Sequence, residues 1–169
     1  YLDRNQKEKA ISYAAAKLDA GNQYYDAELR ELTGHGYYEQ REFAKALPYL
    51  EAYVNRSKKV SRQDMFELSY CYYQEKNYDK TIEGFKQLGG KEDSLAQNAM
   101  YLLGDSYLKT GQKANARNAF LFCASNSSYP AQKEISRFHY GKLSYELGYP
   151  DAALTSLRGF LAEYPQSTY

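Results

Sequence analysis

The sequence predicts an all-α protein built as a stack of antiparallel helix pairs, on three observations. Small residues recur at Gly34, Ser69, Gly104 and Gly141, which are 35, 35 and 37 residues apart, and self-similarity at such a period marks a repeat architecture. In three of these intervals the aromatic after the small residue precedes a second compact residue by nine positions: Tyr37 and Ala46, Tyr72 and Thr81, Tyr107 and Ala116. Short apolar runs such as Leu102-Leu103 fall within helical periodicity, so no strand is needed.

The units follow in order. Residues 1–25 form a partial unit: Tyr1 and Ala10 repeat the nine-residue step, so the chain opens inside a first helix and a second helix is expected from about Gln6 to Ala20. Residues 26–60 carry Gly34 and Tyr37, then Ala46 and Leu50. Asp26 is placed to cap a helix beginning at Ala27, and Pro48 must kink the second helix or delay its start. Residues 61–93 carry Met65, Leu68, Ser69 and Tyr72, then Thr81 and Phe85. Ser61 and Asp64 have capping-box spacing, Asn77 can cap the second helix, and Gly89-Gly90 ends it. Residues 94–129 hold Met100, Leu103, Gly104 and Tyr107, then Ala116 and Phe120, with Ser94 and Gln97 at capping-box spacing. Residues 130–169 hold Tyr140 and Gly141, then Ala153, Leu157 and Pro165, while Pro130 and Pro150 suit first-turn positions where no amide donor is required. Arg30 and Arg137 stand where the other units place a large apolar residue. Helices cross closely only where a small residue admits the neighbouring backbone, and large residues fill the groove between them.

This column pattern resembles the tetratricopeptide repeat family, whose units of roughly 34 residues follow W-x2-L-G-x2-Y, then A-x3-F, then P. The resemblance runs over essentially the whole chain. It implies a right-handed superhelical solenoid whose first helices line an extended concave face. It also implies that the chain is a fragment of a longer array, because it opens inside a helix and stops just after Tyr164-Pro165-Gln166-Ser167. Cut ends would expose repeat-facing residues, with Ala14, Leu18, Leu157 and Phe160 the candidates for self-association. The run Phe160–Ser167 resembles repeats of bacterial cell-envelope tetratricopeptide proteins, including outer-membrane assembly and Tol-Pal-associated ones, which favours the envelope over the cytoplasm.

The Leu68, Tyr72, Leu103 and Tyr107 column is assigned to packing between helices, which leaves a second stripe at i, i+4, i+7 for the inner face. That stripe reads Glu31, His35, Tyr38; Phe66, Tyr70, Tyr73; Tyr101, Asp105, Leu108; and Phe138, Lys142, Tyr145. Any one of these aromatics could simply fill space between helices. As a stripe they read as an interface, because Tyr offers large contact area, little entropy loss and a hydroxyl. The candidate partner-binding residues are therefore His35, Tyr38, Phe66, Tyr70, Tyr73, Tyr101, Phe138 and Tyr145, with Asp105, Lys109 and Lys142 adding charge selection. Family members that dock acidic C-termini carry Lys and Asn on this face. Here the matching positions are His35, Tyr70, Asp105 and Lys142, which disfavours that clamp.

Other classes find little support. With 22 Lys+Arg against 21 Asp+Glu no nucleic-acid partner is expected, and the basic cluster Arg56, Lys58, Lys59, Arg62 reads as a solvated loop. No run reaches the ~20 apolar residues of a membrane span. Cys71 and Cys123 have no ligand spacing and read as packing residues. His35 and His139 lie in different units outside any H-x-x-x-H pattern, no G-x-S-x-G is present, and Gly89-Gly90-Lys91 lacks the spacing of a phosphate loop. No catalytic residue, metal or cofactor is expected. The function expected is a protein-protein interaction scaffold binding a peptide or protein segment. The alternatives are a small-ligand or glycan-binding module, and a docking arm of a larger enzyme or sensor.

Overall fold

The computed structural model describes residues 4–21 and 25–169. Among them are nine helices and no strand: α1 (Arg4–Asp19), α2 (Asp26–Glu39), α3 (Phe43–Arg56), α4 (Arg62–Gln74), α5 (Tyr78–Lys86), α6 (Ser94–Lys109), α7 (Lys113–Ser125), α8 (Pro130–Glu146) and α9 (Pro150–Glu163). The all-α, tetratricopeptide-like architecture is as the repeat period predicts. Tyr1, on which the partial first helix rests, lies outside the described residues.

One turn geometry recurs after the first helix of each pair. Arg41, Lys76, Gly111 and Gly148 all have positive φ, at 63, 60, 75 and 80°, and they are spaced 35, 35 and 37 residues apart like the small-residue column. The residue after each donates its amide five positions back: Glu42 to Tyr37 and Asn77 to Tyr72 at 2.9 Å, Gln112 to Tyr107 and Tyr149 to Ser144 at 2.8 Å. This is the Schellman arrangement, in which a left-handed residue lets the chain turn while satisfying carbonyls left over at the helix end.

The starts of the helices follow the sequence in part. Ser61 and Asp64 form the expected capping box, and Pro130 and Pro150 open α8 and α9. Asp26 is not a cap. It lies inside the first turn of α2, where its carboxylate takes bonds from Arg30 at 2.7 and 3.1 Å and from Arg56 at 2.8 Å. These cations hold its pKa below the usual carboxylate value, the Arg30 bond foremost. Asp93, not Ser94, caps α6 by accepting from the Ala96 amide at 2.8 Å. Pro48 does not delay α3, which begins at Phe43 and runs through it; Pro48 and Ala44, whose carbonyl loses its donor, are both exposed to water.

The chain divides into two units at Asn77/Tyr78. In the first, α1 packs on α2, α2 on α3 and α3 on α4. A Cβ on Gly34 would stand 2.7 Å from Leu50 Cδ2, and one on Gly36 would stand 2.5 Å from Ile11 Cδ1. These glycines let α2 approach both neighbours. Ala46, Leu50, Leu68 and Cys71 form the core beside them. In the second unit α5 to α9 pack in sequence. Gly104 meets Phe120 and Gly141 meets Leu157 in the same manner as Gly34 meets Leu50.

Gln97, fully buried in α6, fastens the loop between α7 and α8. Its amide donates to the carbonyls of Asn126 and Tyr129 at 3.1 Å, and its oxygen accepts from the Tyr129 amide at 2.7 Å. Both cysteines are free and buried, as packing residues should be. Ala14, Leu18 and Phe160 are also buried within the chain, and Leu157 lies on Gly141. These candidates for self-association are therefore already occupied by internal packing. No helix among the described residues is long and apolar enough to cross a membrane.

Candidate partner-binding face

In the first unit the aromatic stripe converges on Tyr70. Its ring centroid lies 5.8 Å from Tyr38 of α2, 6.1 Å from Phe66 and 6.2 Å from Tyr73 of α4, and 5.5 Å from Phe43 at the start of α3. Tyr38 and Phe43 meet Tyr70 edge-on, at 79 and 72°, whereas Phe66 and Tyr73 stack. Edge and stacked contacts both suit the ring quadrupole. Tyr38, Tyr70 and Tyr73 are half-buried, while Phe66 is only 7% exposed and forms the wall behind them. Phe43 lies outside the sequence-derived stripe because it belongs to a second helix.

His35 is one turn before Tyr38 and faces α4. Its Nδ1 lies 2.9 Å from Glu67 Oε2, and Gln63 donates to the other Glu67 oxygen at 2.9 Å. The Glu67 side chain is 1% exposed and that of His35 46%. Burial alone would lower the His35 pKa, but the bond and charge of Glu67, with Glu39 and Asp64, raise it above 6.5. A cleft of about 400 Å³ opens here between α2 and α4, lined by Glu28, Glu31, His35, Asp64 and Glu67 among others. Burial, then Asp64 and Glu28, push the Glu31 pKa up. The cleft is thus acidic. Glu67 was not legible as part of this face, because it sits beside Phe66 at a position that the helical period assigns to packing.

The second unit carries a chain of rings across α6, α7, α8 and α9. Tyr101 lies 6.2 Å from Phe120, Phe120 stacks on His139 at 4.7 Å, His139 is 5.9 Å from Phe138, and Phe138 is 5.9 Å from Phe160. Tyr169 stacks on Phe138 at 5.9 Å. Asp105 pairs with Lys109 one turn along α6, and the Lys109 ammonium lies 5.8 Å over the Tyr78 ring. Lys142 is exposed, as is Tyr145 at 72%. Burial, and then the Lys142 charge, depress the His139 pKa. The phenols shift the other way: burial, then Glu67, takes Tyr38 up to about 12, and burial, then Asp105 and Tyr169, raises Tyr101. Both therefore stay protonated near neutral pH and offer hydroxyl donors. A larger open cleft of about 580 Å³ between α7, α8 and α9 contains none of the sequence-derived site residues. Among the described residues no group of three or more His, Cys, Asp or Glu could hold a metal ion.

Helix pairs repeating every 35 to 37 residues about a small-residue crossing define a helical-repeat protein. The chain belongs to the tetratricopeptide repeat family. The family model described as anaphase-promoting complex, cyclosome, subunit 3 matches residues 39–123, half of the chain, and the model described as tetratricopeptide repeat matches residues 136–167. A crystal structure of MamA is similar in fold, with TM-score 0.68 and 18% identity over 100% of this chain and 99% of that one. MamA from AMB-1 aligns with TM-score 0.67 and 15% identity over 96% and 91% of the two chains. A Podosopora anserina kinesin light chain with nearly identical TPR-like repeats aligns with TM-score 0.63 and 14% identity over 97% and 89%. At these identities the likeness is one of fold. Comparison with curated proteins finds no match.

Proposed function

We propose that this chain is a non-catalytic protein-protein interaction scaffold that holds a peptide or protein segment against the aromatic faces of its first helices, α2, α4, α6 and α8. The observation that carries this reading is the set of four ring contacts on half-buried Tyr70. A ring fixed by its neighbours yet reachable from solvent binds with little further loss of freedom, which is what an interface anchor requires. The acidic cleft beside His35 adds selectivity, since a carboxylate-rich segment would meet like charge there. Near-balanced charge over the chain, 22 cationic against 21 anionic residues, supports a protein partner over a nucleic acid.

The test is a quantitative pull-down from source-cell extract, comparing the native chain with a Tyr70→Ala, Tyr101→Ala, Phe138→Ala variant whose helicity is verified by circular dichroism. A protein retained by the native chain and lost from the variant supports the scaffold. If both forms retain the same proteins, the aromatic residues are packing and the reading fails.

A further inference from the structure

The backbone reverses after α9. The Tyr164 amide still bonds to Phe160 O at 2.8 Å, Pro165 follows, Ser167 N donates to Tyr164 O at 3.0 Å, and Tyr169 N donates to Ser167 Oγ at 3.3 Å. The turn brings Tyr169 back onto Phe138 of α8, with centroids 5.9 Å apart and planes at 27°. Phe138 is braced by Phe160 and His139, each 5.9 Å away, and His139 is itself stacked on Phe120. The platform is therefore preformed. Its visitor is held lightly: the hydrogen bonds of Ser167 and Tyr169 stay within their own turn, and Tyr169 is 54% exposed. Tyr101 also senses the visitor, whose phenol adds to burial and Asp105 in raising the Tyr101 pKa.

We infer that the Phe138–Tyr101 surface is a seat for one aromatic side chain carried on an extended partner segment, and that Tyr169 occupies it in the absence of that segment. The inference rests on the scaffold reading and specifies its partner: a segment presenting a tyrosine or similar ring. A ring held by one stacking contact, with no hydrogen bond to the platform's helices, is displaced by an equal ring with further contacts of its own.

The probe is a fluorescein-labelled, C-terminally amidated peptide with the sequence of residues 164–169, set against the same peptide ending in Ala, with binding read by fluorescence anisotropy. Removing the resident ring by Tyr169→Ala should tighten binding of the Tyr-ended peptide about two- to tenfold, the range expected for one aromatic pair. Adding Phe138→Leu, which keeps an apolar residue in the fold, should abolish the preference for Tyr over Ala. Equal affinity of the Tyr169→Ala chain for the two peptides overturns the inference. So does a concentration-dependent dimer of the native chain that Tyr169→Ala abolishes, because the guest would then be a second copy. The two readings fail separately: a failed pull-down with intact peptide discrimination removes the scaffold and leaves the seat, and the converse removes the seat alone.

Discussion

Gly104 lies so close to Phe120 that a Cβ at that position would stand 2.8 Å from Cε1 and Cζ of the ring. Phe120 is 1% exposed and also carries the stacked His139, so the ring cannot yield cheaply. Gly104→Ala should destabilise the chain by about 1–3 kcal/mol, the usual cost of forcing a methyl into a packed core, despite the better helix propensity of Ala. A urea midpoint that falls with an unchanged m-value would bear this out, and an unchanged midpoint would show that the ring can move.

Gly111 poses the opposite case. Nothing lies within 4 Å of a Cβ built there, but its φ is +75°. Gly111→Ala should cost about 1 kcal/mol through backbone strain alone. Lys76, at φ 60° in the equivalent turn, should gain stability as Lys76→Gly by up to about 1 kcal/mol. Opposite movements of the two urea midpoints are the expected result.

Gln97 gives a polar counterpart. Gln97→Leu keeps the volume but leaves the Tyr129 amide and the Asn126 and Tyr129 carbonyls without their partner, at a cost of about 1–3 kcal/mol. Hydrogen exchange should accelerate at the Tyr129 amide before it does so in the middle of α6. Equal protection in native and variant chains would mean that the loop finds other bonds.

The helix pairs were legible because the residues that set them are local in sequence: a small residue, and the ring or leucine sixteen positions later that fills the space beside it, as in Gly34 and Leu50, Gly104 and Phe120, Gly141 and Leu157. The helix starts were less so. Asp26 is drawn from capping by Arg56, thirty residues away, and Gln97 from the expected capping box by the Asn126–Tyr129 loop. The aromatic stripe likewise foretold Tyr38, Tyr70 and Tyr73 as neighbours, but gave no sign of Phe43 or Tyr169, which reach the faces from another helix and from a reversed loop. Contacts across the fold carry no period, so the pattern could not contain them.

Cysteine chemistry follows from the same packing. Cys71 and Cys123 are fully buried, and burial, then Glu67 and Glu75, pushes the Cys71 thiol up to about 12. A thiol held protonated and out of water is a poor nucleophile. A chromogenic disulfide reagent at pH 8 should label neither residue in the folded chain within minutes and both in urea. Rapid labelling of the native form would contradict the packing of α4 or α7.

The two histidines should tilt stability in opposite directions with pH. The raised His35 pKa, sustained against burial by Glu67, Glu39 and Asp64, means that the folded chain holds this proton more tightly than the unfolded one. Its contribution is complete below the ordinary imidazole pKa of about 6.5 and is lost as pH rises through the raised value. His139, depressed by burial and Lys142, contributes above that ordinary pKa and loses its contribution as pH falls through its lowered value. His139→Phe leaves His35 as the sole histidine, so the urea midpoint of that variant should decline between about pH 6 and 8. Glu67→Gln in the same background should flatten the slope. His35→Ala should cost about 1 kcal/mol near pH 6, because buried Glu67 keeps only Gln63 while the half-exposed imidazole limits the loss. A midpoint that rises over this range in the His139→Phe chain would mean that Glu67 does not hold the His35 proton.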